Sequence, residues 1–238
     1  SGGSKNTSYS FGFGYMNDGG IVGSENFERL TSNIGIEHRF DDKVKIGLNA
    51  YISYNNINHG SNEALWSAFL IAPIVGRFQV DNSPTFSHRP DGRVNPFIQD
   101  ENSRHLSEGW SANVSTFFEY KPIKQLAFKS QFASQFDGAT GGTWDGTYSQ
   151  NGQGINLPNA SQSEGFNRNM VLDNTVTFDT EIGKIHKLNF IGLFSAQKET
   201  HKSMGMIGQG LPYESDWYAI QTAEQITNVN SNYWESSM

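Results

Sequence analysis

The chain has 238 residues, a net charge of −7 and an isoelectric point near 5.3. Its scattered Lys and Arg in that acidic balance argue against nucleic acid as a partner, and the lack of cysteine excludes a disulfide framework and a thiolate metal site. Only 36% of the residues are hydrophobic and no run of about 18 apolar residues exists, which excludes a transmembrane helix but not a β-barrel, half of whose wall is polar.

Residues 7–16 alternate without a break, with Tyr9, Phe11, Phe13 and Tyr15 set against Ser8, Ser10, Gly12 and Gly14. Side chains of a strand point to opposite faces in turn, so this is a strand with one apolar face. Asn17-Asp18-Gly19-Gly20 ends it with turn residues. Residues 27–40 form the next strand, with Leu30, Ile34, Ile36 and Phe40 on one face and Asn33, Glu37 and Arg39 on the other. After the tight turn Asp41-Asp42-Lys43, residues 44–54 return with Val44, Ile46, Leu48, Ala50, Ile52 and Tyr54 on the apolar face.

Residues 58–107 form a long excursion. Within it, residues 64–72 carry Leu65, Ala68, Phe69 and Ala72 at helical spacing, and Pro73 ends the run. The spacing predicts a short surface helix. Residues 110–120 and 126–136 form the clearest hairpin, with Trp110, Ala112, Val114, Thr116, Phe118 and Tyr120 answering Leu126, Phe128, Phe132 and Phe136. Pro122 cannot donate to a ladder, and the chain is expected to turn there. Residues 137–166 are a second excursion, rich in Gly, Ser and Asn. Two further strands follow at 167–180 and from 186 to about 197, joined by a short turn around Gly183. In the second of these, Ile191 and Leu193 weaken the alternation. The last forty or so residues show no clean period by eye.

The connections therefore alternate strictly between short and long. A soluble sandwich has no reason to sort its loops in this way, whereas a membrane barrel has short turns on the periplasmic rim and long loops outside. Aromatic residues near strand ends, among them Trp110, Tyr120, Tyr54 and Phe178, match the girdles at the two interfaces. The predicted fold is all-β: an antiparallel transmembrane β-barrel segment of about seven strands. Val114, Phe118, Phe128, Phe132, Ile46 and Leu48 are expected to face lipid. Asn113, Glu119, Lys129, Gln131, Lys45 and Asn49 are expected to face the lumen.

These residues resemble a family. The run from Tyr9 to Tyr15, then Asp18-Gly-Gly-Ile-Val22 and Asn26-Phe-Glu-Arg-Leu30, is similar to a strand–loop–strand of the SusC/RagA family of TonB-dependent outer-membrane transporters. The helical run before Pro73, followed by Asp91-Gly92 and Asn95-Pro96, resembles that family's extracellular loop. Leu172-Asp-Asn-Thr175, Leu188-Asn189 and Ser195-Ala-Gln197 resemble a later hairpin. Each motif is short; their order and spacing carry the resemblance over nearly the whole chain. It implies active nutrient import across the Gram-negative outer membrane, energy from TonB through an N-terminal plug region, and a SusD-like lipoprotein lid. Residues 1–238 are expected to be part of a larger barrel, with the plug and the remaining strands outside this stretch.

No catalytic constellation emerges. The histidines, His38, His59, His88, His105, His186 and His201, are scattered without metal-ligand spacing. The loop acids Asp137, Asp145 and Glu164 are read as solvated, because a glycosidase needs two facing carboxylates. Gly141-Gly142 and Gly152-x-Gly154 lack the Lys-Ser/Thr of a phosphate loop. The chain is expected to be no enzyme, with no cofactor and no metal. The loop aromatics are the better functional signal: Trp66, Phe69, Phe86, Trp144, Tyr148 and Trp217 are candidates for ligand or partner binding, or for packing the loops on one another. A soluble glycan-binding or adhesin β-domain is the alternative reading.

Overall fold

The computed structural model describes residues 1–21, 23–72, 76–82, 85, 93–183, 186–212, 214 and 216–238. Its elements in chain order are β1 (Gly2–Gly3), β2 (Thr7–Gly19), β3 (Asn26–Arg39), β4 (Val44–Asn58), α1 (Asn62–Leu70), α2 (Pro96–Glu101), β5 (Ser103–Ile123), β6 (Leu126–Asp145), β7 (Asn159–Ile182), β8 (His186–Gln209), a 3-10 turn (Ile220–Thr222) and β9 (Gln225–Ser237). The nine strands form one antiparallel sheet in sequence order. Each strand is hydrogen-bonded to the next in the chain, so the short and the long connections fall on opposite rims.

Strand register confirms the two faces. Directly opposed residues of an antiparallel pair share a face. Ile46 opposes Phe118, Leu48 opposes Thr116, Thr116 opposes Phe132, and Tyr120 opposes Phe128. On the other side Lys45 opposes Glu119 and Glu119 opposes Lys129, while Asn113 opposes Gln135. The apolar face presents its rings outward: Phe11, Phe13, Phe118 and Phe190 are all well exposed. The polar face holds a trough of about 450 Å³ lined by Asn33, Asn49, Asn113, Ser115, Gln135 and Asn169.

Four expectations need correction. There are nine strands rather than about seven, because Gly2–Gly3 adds a short edge and the aperiodic C-terminal stretch contains β9. β5 to β8 run 20 to 24 residues, so ladders continue well into the stretches expected to be loops. The Gly, Ser and Asn of residues 137–145 and 159–166 pair as strand although their side chains carry no hydrophobic alternation. Pro122 lies inside β5: the register shifts between Tyr120 and Ile123, and this irregularity accommodates the missing N–H before the turn at Lys124 and Gln125.

The short-turn rim is built locally. Asp41 Oδ1 accepts from the backbone N–H of Lys43 at 2.8 Å and of Val44 at 2.7 Å, the Asx geometry that holds a tight turn. Just above it on the inner face, the Phe117 ring covers Gly47, with Lys45 Nζ 5.4 Å and Lys129 Nζ 5.2 Å from its centroid. Lys45 pairs with Glu37 at 2.8 Å and Lys121 with Glu119 at 2.7 Å.

Candidate functional site

The long-loop rim is where the side chains gather that the wall does not need. α1 starts at Ser61, whose hydroxyl accepts from the Ala64 N–H at 3.3 Å, an N-cap bond that satisfies one orphan donor. α2 starts at Asn95, whose side-chain oxygen accepts from the Phe97 N–H at 3.0 Å, with Pro96 at its first turn. The two helices lie against each other through small side chains. Ala64 and Ser67 are buried, which lets α1 approach closely. The large apolar residues of α1 point away instead. Trp66 is 61% exposed and Phe69 74%, their rings edge to face with centroids 6.4 Å apart. Leu70 and Phe97 are exposed beside them. A cleft of about 340 Å³ runs between the helices, lined by Ala64, Leu65, Ala68, Ile71, Phe97 and Asp100.

The helix lies on the surface, as its spacing predicts. The stripe Leu65, Ala68, Phe69 and Ala72 does not bury as a unit; the small side of the helix is the buried one. Pro73, Phe86, Asp91 and Gly92 lie outside the described residues.

Trp144 and Trp217 have a different fate. They are 5% and 8% exposed and form one core with Ala160, Leu211 and Ile220, supported by Leu106, Met206 and Ala223. The segment between β8 and β9 folds back over the outer side of the strand extensions. Trp217 lies flat on Gly142, where any Cβ would collide with the indole. These two tryptophans pack the loop layer, the packing alternative among the two expected for the loop aromatics. Tyr148, in the β6–β7 connection, is 53% exposed.

A buried polar clasp joins the loops, and sequence reasoning missed it. Gln99 on α2 is 1% exposed. Its Nε2 donates to Ser61 Oγ at 3.4 Å and its Oε1 accepts from the Gln150 N–H. The Val94 N–H donates to Gln150 Oε1 at 3.0 Å. One side chain thus ties the start of α1 to the β6–β7 connection. Nothing in the local sequence marks Gln99 for this, because its partners lie 38 and 51 residues away. Higher on the inner side, the rings of His59 and His105 stack with centroids 4.2 Å apart, and His59 Nε2 meets Ser107 Oγ at 2.7 Å. Partial burial and the neighbouring His59 lower the His105 pKa below its usual 6.5. Much of that ring is still solvent-exposed, so the shift is small in energy.

The three loop acids do not converge. Asp137 and Asp145 lie on the inner face of β6, where Asp137 accepts from Gln135 at 2.9 Å and Asp145 from Asn151 at 2.7 Å. Glu164 lies on the outer face of β7, opposite Thr140 and Met204.

No family model matches the chain. Two curated relatives do: TonB-dependent receptor P3 of Formosa agariphila, 24% identical over 208 residues, and TonB-dependent receptor P26 of the same organism, 25% identical over 206. Each alignment covers 83% of this chain. Among solved structures, the RagAB peptide transporter superposes on 99% of the chain with a TM-score of 0.77 at 18% identity, and the RagAB peptide importer in its open-open state with 0.76 at 19%. The chain resembles TonB-dependent receptors in sequence and has the fold of a RagA-type barrel wall. It spans about a fifth of the length of the curated relatives, 21% and 20%, and 28% and 27% of those two solved chains. In a barrel wall the apolar face is the outer one and the polar face is the lumen side. The exposed pair Trp66–Phe69 then stands on the rim that carries all the long loops.

Proposed function

We propose that this chain is part of the wall of a TonB-dependent importer in the outer membrane of a Gram-negative cell, and that it carries no covalent chemistry of its own. The observation that supports the reading best is the two-faced sheet. Its outer face is apolar and exposed over a band bounded by aromatic residues, its inner face is polar and holds a trough, and its long loops share one rim. A soluble protein would have to cover that outer face with a second layer. The cargo in this reading is a glycan, a peptide or a similar nutrient. Energy comes from TonB through a plug region elsewhere in the polypeptide, and a SusD-like lipoprotein sits on the long-loop rim. Trp66 and Phe69 are its proposed seat, as paired exposed aromatics are the usual anchors of an interface.

Because the chain has no native cysteine, single cysteines test both parts at once. In the full-length protein, Phe69→Cys should react with a membrane-impermeant maleimide in intact cells, and Asp42→Cys only after the outer membrane is opened. Co-expression of the lipoprotein encoded with the transporter should protect Phe69→Cys. Equal labelling of both sites in intact cells, or recovery of the protein in the soluble fraction, overturns the barrel reading. Ordered labelling with no protection overturns the lid seat alone.

A further inference from the structure

On the outer face of β7, β8 and β9 the alternation ends in a block of charge. Three successive rungs place Met170 beside Lys198 and Ser237, Arg168 beside Thr200 and Glu235, and Phe166 beside Lys202 and Tyr233. Directly toward the short-turn rim the same face is apolar, with Leu172, Val176 and Phe178 on β7 and Phe194, Phe190 and Leu188 on β8. Ten residues separate Phe178 from Arg168, about 33 Å of strand. Tilted as barrel strands are, that is about 25 Å along the membrane normal, the height of a barrel's apolar band. The charged block therefore sits where lipid headgroups begin, on the long-loop side.

The charges within it are unevenly matched. Lys198 Nζ pairs with Glu235 Oε1 at 2.8 Å, and Tyr233 donates to Glu235 Oε2 at 3.0 Å. Arg168 Nη2 donates to Thr200 Oγ1 at 3.1 Å, and its Nε is buried with no partner. Lys202 Nζ stands 5.7 Å from the centre of the Tyr233 ring. Glu164, one rung further out, is the other carboxylate facing this block. Among the described residues no carboxylate lies within ion-pair distance of Arg168 or Lys202, on the outer wall of a chain whose net charge is −7. Arg104, an outward cation of β5, is held by the carbonyls of Asp100, Glu101 and Ser103. A groove of about 530 Å³ opens between Lys202 and Glu164, walled by Trp110, Phe166 and Tyr233 with Gly138 as its floor. The Trp110 indole lies across Gly138 and its ring centre is 6.2 Å from that of Phe166.

We infer that this block binds the phosphorylated headgroup of a lipid in the outer leaflet, an inference that rests on the membrane-wall reading above. A phosphate set between Arg168 and Lys202 meets a guanidinium and an ammonium point charge, the two standard phosphate ligands. The polar part of the headgroup lies in the groove against Trp110 and Tyr233, and the acyl chains follow the apolar band below. Headgroup, ring belt and chain contacts are then continuous on one face, which a free anion would not use.

The test uses the full-length protein in a non-ionic detergent. Retained lipid is counted by native mass spectrometry while the micelles are titrated with phosphatidylglycerol, with phosphatidylcholine, or with inorganic phosphate in the buffer. Phosphatidylglycerol should bind in preference to phosphatidylcholine. The double variant Arg168→Gln/Lys202→Gln should weaken it about 30-fold, and Glu235→Gln should tighten it about fivefold, at about one factor of five per charge. Lys129→Gln, an equal loss of charge on the inner face, should change nothing. If inorganic phosphate displaces the lipid at comparable concentration, the site takes free anions and the inference fails. It also fails if Lys129→Gln weakens binding as much as the double variant, or if the double variant binds normally. Should the double variant not fold, Glu235→Gln decides, and the absence of tightening overturns the site. A wild-type protein that needs no detergent overturns the membrane reading and the site together; one that needs detergent yet ignores phosphatidylglycerol overturns the site alone.

Discussion

The same strands build two regions that obey different rules. Between the short turns and the aromatic row of Tyr54 and Trp110, the described residues form no side-chain core: the outer face is mainly exposed rings and aliphatics, and the inner face is mainly Asn, Ser, Gln and charges, with Tyr51 and Phe117 among them. Above that row the same ladders continue, but Trp144, Trp217, Leu211 and Ile220 close into a small buried core and Gln99 clasps two loops. The wall depends on its surroundings for burial, while the loop layer supplies its own. In the wall a side chain's value is set by which face it occupies; in the loop layer it is set by which distant segment it touches.

The largest effect that separates the two regions belongs to the loop core. Trp217→Ala removes an indole from Gly142 and from the Leu211–Ile220 cluster, a change that costs about 3–5 kcal/mol in a packed site. The cost should stay local. Protease cleavage and amide exchange within residues 210–224 should rise steeply, while the barrel keeps its resistance to unfolding in detergent. Loss of the whole barrel in this variant would show that the wall leans on the loop layer after all.

Next comes the wall itself. Leu48 is on the outer face near the middle of the band, opposite Ile36 and Thr116, and Asn49 is its inner-face neighbour. Leu48→Arg should cost roughly 2–4 kcal/mol in lipid, and Asn49→Arg much less, because only the outer face meets hydrocarbon. Folding titrations of the full-length protein into phosphatidylcholine vesicles give both values. Equal costs for the two positions would break the distinction between faces.

This contrast also explains what was legible beforehand. The faces of Ile46, Phe118, Phe128 and Lys129 could be read because strand side chains alternate and a one-residue slip inverts them all. The lengths of β5 to β8 could not, since Gly141, Gly142 and Ser163 pair by backbone alone and leave no pattern in side-chain chemistry. β9 was missed for a related reason: its inner and outer positions, Asn230, Ser231, Asn232 and Tyr233, alternate little in polarity. Of the six loop aromatics, Trp66 and Trp144 look alike in sequence. One ends exposed and the other buried because the β8–β9 connection returns over Trp144, and that is a fact of tertiary structure. Gln99 offered no signal at all.

The smallest expected effect concerns the seam between the regions, where His59 and His105 stack five residues and more beyond Trp110 on the loop side. The His59 N–H donates to the His105 carbonyl at 2.9 Å, which carries the β4–β5 ladder one step past Asn58. Burial, and then the charge of His59, hold the His105 pKa below 6.5. On acidification the unfolded segment therefore takes up the proton first. Stability from the stacked pair is full above about pH 6.5, is lost as the pH falls from there toward the folded value, and falls no further below it. Amide exchange at residues 59–61 and 105–107, corrected for intrinsic chemistry, should be modestly faster at about pH 5.5 than at about pH 7.5, with the band below unchanged. His105→Gln should remove the difference, because the ring whose pKa burial lowers is gone. If the pH dependence survives in that variant, the seam is not held by the histidine stack. If exchange in the wall strands rises equally, the two regions open together, and the boundary drawn between them at Trp110 is in the wrong place.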